Sequence, residues 1–251
     1  MTEAPMVASL AMYPFEPLRS FTDSLWNAIR QHLGWGPLSL EWAVSVPEVW
    51  RHPDLLLAQT CGWPLVNQLL DEVAVIGTFD YDVPGADGGR YQAVLIGRFS
   101  STFEELRGCP GAVVATNSTE SLSGWISLQS AWGGPPPAVV ETGSHLESVR
   151  AVAEGRADVA SIDAVTWALI SSLEPQLVSE LTVVGSGPPV PCLPIVVPLR
   201  HIAHVDALRA AFTAAISDPS AADACAQLRI RRFVPLDLAD YLPLLSLLRS
   251  P

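Results

Sequence analysis

The sequence contains no lysine: its 14 basic side chains other than histidine are all arginine, set against 26 aspartates and glutamates. Chemistry that needs a lysine is thereby excluded, whether a Schiff base, a P-loop phosphate clamp or a lysine general base. Charge of either sign is scarce at 16% of residues, while hydrophobic residues make up 49%; such a chain is neither disordered nor a coiled coil. A net charge of −12 opposes nucleic acid and anionic membrane surfaces as main partners. Long apolar runs are missing too. The most apolar stretch, PVPCLPIVVPL at 189–199, is broken by prolines, and none approaches the ~20 residues of a membrane helix, so no membrane insertion is expected.

Cysteine is limited to Cys61, Cys109, Cys192 and Cys225, with no CxxC pair; free thiols in a reducing compartment are the expectation. Five scattered histidines offer no HExxH or other metal spacing, so neither a metal nor another cofactor is expected. The start has an acidic Glu3, no basic segment, and an apolar run leading straight into Tyr13-Pro14. It reads as a buried strand rather than a signal peptide. As the sequence stands the protein is expected in the cytoplasm, or in the periplasm if a leader has been trimmed.

What is present is alternation. Residues 6–13 read as a strand, followed by a helix capped by Ser20 with Phe21, Leu25, Ile29 and Leu33 on one face and Gly34 at its stop. Strands are expected at 38–44 and 54–58, and then a helix opened by Gly62 and Pro64. VAVIGTFDY and YQAVLIGRF flank the turn-rich VPGADGGR and read as a long hairpin. A second strand–helix block follows, with strands at 111–116, 138–141 and 157–162 and a Ser144–Glu147 capping box. The proline-rich GSGPPVPCLP leads back to helices around 205–216 and 221–228. The expected fold class is α/β, with two lobes joined by two crossings. The first lobe is residues 1–98 with 191–251, the second is 99–190, and a ligand cleft lies between them.

The segment Asn117 to Trp125, NSTESLSGW, joins a buried strand to a helix, where the ligand crevice of α/β folds lies. Ser121, Ser123 and Gly124 supply hydroxyls and close backbone approach beside unpaired N–H groups, which with the helix dipole favour an oxyanion. His145 falls in the first turn of a later helix, and Asp163 just after the strand 157–162. In the first lobe the candidates are Tyr13 after the first strand, and Gln59, Thr60, Cys61 and Gly62 after the strand 54–58; Tyr81 stands as a wall residue. Each has a plainer reading: serines and Asp163 as helix caps, His145 as a surface cap residue, Cys61 as packing.

DLLLAQTCGWP, YQAVLIGRFSSTFEELRG, SLSGW, TGSHLESVRAVAEGRADVASIDAVTW and CLPIVV together resemble the phosphonate/phosphate-type substrate-binding components of ABC transporters. The resemblance runs from about Met6 to Tyr241 and implies the type II periplasmic-binding-protein fold. It implies that the Ser121 hydroxyl, the Leu122 N–H and Ser123 grip phosphonate or phosphate oxygens, with His145, Asp163 and Tyr13 lining the site. Here the turn reads SLS where the family often has STS, one hydroxyl fewer. The function implied is capture of a small oxyanion for uptake through an ABC permease, with no catalytic residue. A cytosolic enzyme or a ligand-sensing subunit on the same fold is the alternative. The anion site is expected at 121–124, facing His145, with Tyr13 and Thr60 closing it from the other lobe. Binding that weakens as pH rises through the His145 pKa is expected if that histidine donates to the anion.

Overall fold

The structure, a computed structural model, describes residues 6–99 and 102–247; Glu3 and the start of the chain lie outside them. In chain order the elements are β1 (Val7–Ser9), α1 (Arg19–Leu33), α2 (Val46–Val49), β2 (Leu55–Gln59), α3 (Gly62–Gln68) and β3 (Val73–Tyr81). Then come β4 (Arg90–Arg98), α4 (Phe103–Gly108), β5 (Val113–Thr116), α5 (Ser127–Trp132), β6 (Ala138–Glu141), α6 (His145–Ala153), β7 (Val159–Ile162) and α7 (Ala164–Leu173). The chain closes with β8 (Leu181–Pro191), β9 (Pro194–Pro198), α8 (Val205–Ser217), α9 (Ala222–Gln227), β10 (Ile230–Val234) and α10 (Leu238–Tyr241). Two five-stranded sheets result, ordered β1-β2-β9-β3-β10 and β6-β5-β7-β4-β8. One unit comprises the residues up to Asp82 with Asp87–Gly89 and Pro191–Leu242; the other has Val83–Ala86, Arg90–Val190 and the chain from Pro243 onward.

The first sheet is centred on runs buried at every position, LLLAQ in β2 and PIVVP in β9, as a strand covered on both faces requires. Helix α1 buries Leu25, Trp26, Ala28, Ile29 and Leu33 and packs mainly against α8. Its stop is the expected Gly34, left-handed at φ +79°. Its start is not the expected one. A 3₁₀ turn, Glu16–Leu18, feeds straight into the helix, so no side chain caps it and Ser20 lies inside. The strand expected at 38–44 is absent. The Glu41 carboxylate accepts the Ala43 and Val44 N–H groups at 2.6 and 3.1 Å, and amides held locally in this way are withdrawn from a ladder.

The expected hairpin is also corrected. β3 pairs with β9 and β10, whereas β4 pairs with β7 in the other sheet. The first crossing therefore falls at 82–90 rather than near residue 98. A charged cluster secures it. Asp80, fully buried, accepts the Gly89 N–H at 3.2 Å and Arg232 Nε at 2.9 Å, while Arg231 reaches Asp82 at 2.8 Å. The Cys192 N–H donates to the Gly89 carbonyl at 2.8 Å, tying the two crossings together at this point. The proline-rich return is itself a strand, β8, and its prolines are accommodated because it is the outermost strand of its sheet. The capping box expected at α6 forms by half: Ser144 Oγ accepts the Glu147 N–H, but the Glu147 carboxylate turns to Arg150 at 2.7 Å.

Candidate functional site

In the second unit β5 lies between β6 and β7 and is parallel to both. The chain leaves β5 for β6 on one side, then passes back to β7 on the other, and such a divergence opens a crevice at the strands' carboxyl ends. The loops there are tied together. Thr116 O accepts both the N–H and the hydroxyl of Thr142, at 2.8 and 3.0 Å, and Asn117 O accepts the Gly143 N–H at 3.1 Å.

From this frame the serine turn enters its helix. Ser121 is extended, and its hydroxyl accepts the Gly124 N–H at 3.0 Å. Its carbonyl accepts the N–H groups of both Trp125 and Ile126, which makes Leu122–Ile126 a π-helical turn running into α5. Turns of this kind are wider than α and recur at functional sites. The Leu122 and Ser123 N–H groups lie ahead of the first acceptor inside the helix. Gly124 lets the turn pack closely on Asn117: a Cβ there would meet Asn117 Oδ1 and displace that side chain.

Ser123 is held from two sides. Its carbonyl accepts the hydroxyl of Ser161 on β7 at 2.5 Å, and its own hydroxyl lies 2.9 Å from His145 Nε2. His145 is thus a direct partner of the turn within one unit. Burial pushes its pKa down to about 4, so the imidazole is neutral at neutral pH. Binding that weakens as pH rises through the His145 pKa, expected if that histidine donates to the anion, would be centred near pH 4. Asn117 Oδ1, Ser127 Oγ and His145 Nδ1 are buried without hydrogen-bond partners, an unusual concentration of unmet polarity around one turn.

No guanidinium is committed to the turn among the described arginines of this unit. Arg90 donates to Pro189 O, while Arg98, Arg107, Arg150 and Arg156 pair with carboxylates. Asp163, 3% exposed, caps α7 by accepting the Thr166 N–H at 2.9 Å. Trp125, partly buried, packs against the core cluster of Leu95, Val114 and Leu128. Sequence reasoning missed Ser161 and Ser127. Both sit inside regular elements, where only three-dimensional packing reveals what a hydroxyl meets.

In the first unit the expected residues also gather at strand ends. Tyr13, half-buried after β1, stands edge-on to Tyr81 at 5.8 Å. Gln59 donates to the Tyr81 hydroxyl at 3.2 Å, and the Thr60 N–H donates to Pro194 O at 2.9 Å. Gln59, Thr60 and Tyr81 are almost wholly buried. Cys61, half-buried, precedes α3, and none of the four cysteines is joined in a disulfide. A groove of about 360 Å³ on this unit, lined by Met6, Val7 and residues 36–41, contains none of the expected site residues. Among the described residues no group of three or more metal-ligating side chains occurs, and no helix is long and apolar enough to cross a membrane.

Two mixed sheets linked by two crossings, with a serine turn at the parallel strand ends of one of them, define the type II periplasmic-binding-protein class. Residues 73–241, more than half of the chain, match the pattern of the family described as "ABC transporter, phosphonate, periplasmic substrate-binding protein". The chain belongs to that family of substrate-binding proteins. No curated protein sequence matches it. Among solved structures it resembles a binding-protein component of an ABC phosphonate transporter from Pseudomonas aeruginosa, with TM-score 0.77, 16% identity, and 97% of this chain and 85% of that one covered. PhnD1 from Prochlorococcus marinus, in complex with methylphosphonate, gives TM-score 0.77 and 15% identity over 97% and 96% of the two chains. The GluR0 ligand-binding core from Nostoc punctiforme, in complex with L-glutamate, is also similar, at TM-score 0.62 and 17% identity over 88% and 97%.

Proposed function

We propose that the turn Ser121–Gly124 binds a small tetrahedral oxyanion, a phosphonate or phosphate-like group, for delivery to an ABC permease. The observation that carries this reading is the start of the π-turn. The Leu122 and Ser123 N–H groups and the Ser121 and Ser123 hydroxyls lie there, with His145 behind Ser123 and no arginine committed to the turn among the described residues. Donors fixed by the fold bind an anion without the desolvation cost of a counter-ion, and the helix dipole adds to them. The −12 net charge does not oppose this, because exposed charges beyond ~8–10 Å are screened at physiological salt. Asp163, at the carboxyl end of β7, is proposed to meet an amino or hydroxyl group elsewhere on the ligand. In the first unit the corresponding proposal is Tyr13, Gln59 and Thr60 at the ends of β1 and β2.

The test is calorimetry with phosphate, methylphosphonate, an aminoalkyl phosphonate and sulfate. A charge-assisted hydrogen bond contributes about 1.5–3 kcal/mol, so Ser123→Ala is expected to weaken binding roughly tenfold or more. If none of the four binds, the oxyanion assignment is wrong.

A further inference from the structure

Ser123 carries one hydroxyl proton, and its neighbours decide where that proton points. His145 Nε2 lies 2.9 Å from the hydroxyl oxygen, while the other ring nitrogen, Nδ1, is buried with no hydrogen-bond partner. A neutral imidazole has one N–H. If the proton sat on Nδ1, it would be a buried donor without an acceptor, which folded proteins almost never tolerate; a bare nitrogen lone pair in the same place is the milder defect. The proton therefore belongs on Nε2, where it is donated to Ser123 Oγ. With its oxygen occupied as an acceptor, the Ser123 hydroxyl keeps its own proton for something outside the pair. The Ser161 bond to the Ser123 carbonyl fixes the backbone from which that hydroxyl projects.

We infer that His145 is a positioning residue: through Nε2–H it holds Ser123 as an obligatory donor, and it does not itself contact the bound anion. The inference rests on the oxyanion reading and deepens it. The free Ser123 proton favours an unprotonated P–O⁻ oxygen at this position, the stronger acceptor, over a P–OH oxygen. Around the imidazole, α6 contributes Glu147, which is paired with Arg150. The end of β6 carries the exposed Glu141, the turn after β5 carries the exposed Glu120, and the end of β7 carries Asp163, which caps α7. Burial alone lowers the His145 pKa.

The test uses the intact chain with methylphosphonate and inorganic phosphate as probes. A double-mutant cycle separates contact from positioning. Ser123→Ala and His145→Ala are each expected to weaken methylphosphonate binding about tenfold, and the double variant no more than either alone. His145→Gln, whose amide can donate from a similar position, is expected to recover affinity to within about threefold. At pH 5.5 in buffers of different ionisation enthalpy, the unaltered protein should take up no proton on binding. Independently of any variant, the ¹⁵N shifts of the imidazole should report an Nε2–H tautomer. Additive losses in the cycle, uptake of one proton, failure of glutamine to rescue, or an Nδ1–H tautomer would each overturn the inference while leaving an oxyanion site in place. Absence of binding by both probes overturns the oxyanion reading itself, and this inference with it.

Discussion

Both units place polar residues at the carboxyl ends of parallel strands, yet they use them oppositely. At the ends of β1, β2 and β3 the polar groups satisfy one another: Gln59 donates to Tyr81, Tyr13 rests on the Tyr81 ring edge, and the Thr60 N–H is consumed by the neighbouring strand. At the ends of β5, β6 and β7 the loops are just as well tied, but the tying leaves donors over. Leu122 and Ser123 enter the helix ahead of its first acceptor, and beside these donors Asn117 Oδ1, Ser127 Oγ and the acceptor nitrogen His145 Nδ1 are buried without partners. Folded proteins leave few buried polar groups unmet, and each such group calls for an explanation. The first unit's strand ends therefore present side chains already held by one another, and the second unit's present polar groups still to be met.

The largest expected effect strikes the first unit. Gly77 has φ +149°, and a Cβ there would lie 2.5 Å from the Val234 carbonyl and 2.5 Å from the Phe233 ring. Gly77→Ala should cost about 3 kcal/mol or more, since backbone cannot yield as a flexible side chain does. Urea denaturation measures this, and the ligand affinity of the folded fraction should stay unchanged.

Next comes acid. The His145 pKa falls from an ordinary 6.5 to about 4 on folding, so between those values the unfolded chain binds more protons. Stability should be complete above about pH 6.5 and decline toward pH 4, by on the order of 2–3 kcal/mol. His145→Gln should flatten that part of the profile; an unchanged slope would mean that the histidine is not buried neutral.

Ser161→Ala removes the donor to the Ser123 carbonyl from a fully buried position. A cost of about 1–2 kcal/mol in stability and severalfold weaker methylphosphonate binding are expected, the latter by calorimetry. The smallest effect is that of Tyr81→Phe, which takes away the oxygen that Gln59 donates to. About 1 kcal/mol of stability should go, with affinity within twofold of the parent. Affinity falling as far as in Ser123→Ala would erase the distinction between the two units.

Much of the fold was legible because local signals and tertiary demands agreed. Residues 55–59 and 159–162 are apolar runs that become buried strands, Gly34 ends its helix in the one conformation glycine takes freely, and Ser144 and Asp163 are caps in the expected places. The errors mark where a non-local partner decided. The runs 73–81 and 90–98 look like a hairpin, but each strand is claimed by a different sheet. The prolines of GSGPPVP disguised an outer strand, and the adjacent arginines of IRRFV, which answer Asp80, Asp82 and Asp87, disguised β10. For the site, the serine turn and His145 could be read from their places at helix starts. Their direct contact could not, because a separation of 22 positions between Ser123 and His145 says nothing about the register of β5 against β6, which sets it.

The central claim is that the serine turn is where the ligand's oxyanion sits, and amide chemical-shift mapping during a methylphosphonate titration tests it most directly. The largest perturbations should fall on the backbone amides of Leu122, Ser123 and Gly124, with the His145 side chain following through its contact with Ser123. Saturable binding that leaves those three amides unmoved, with the main shifts elsewhere in the chain, would contradict it.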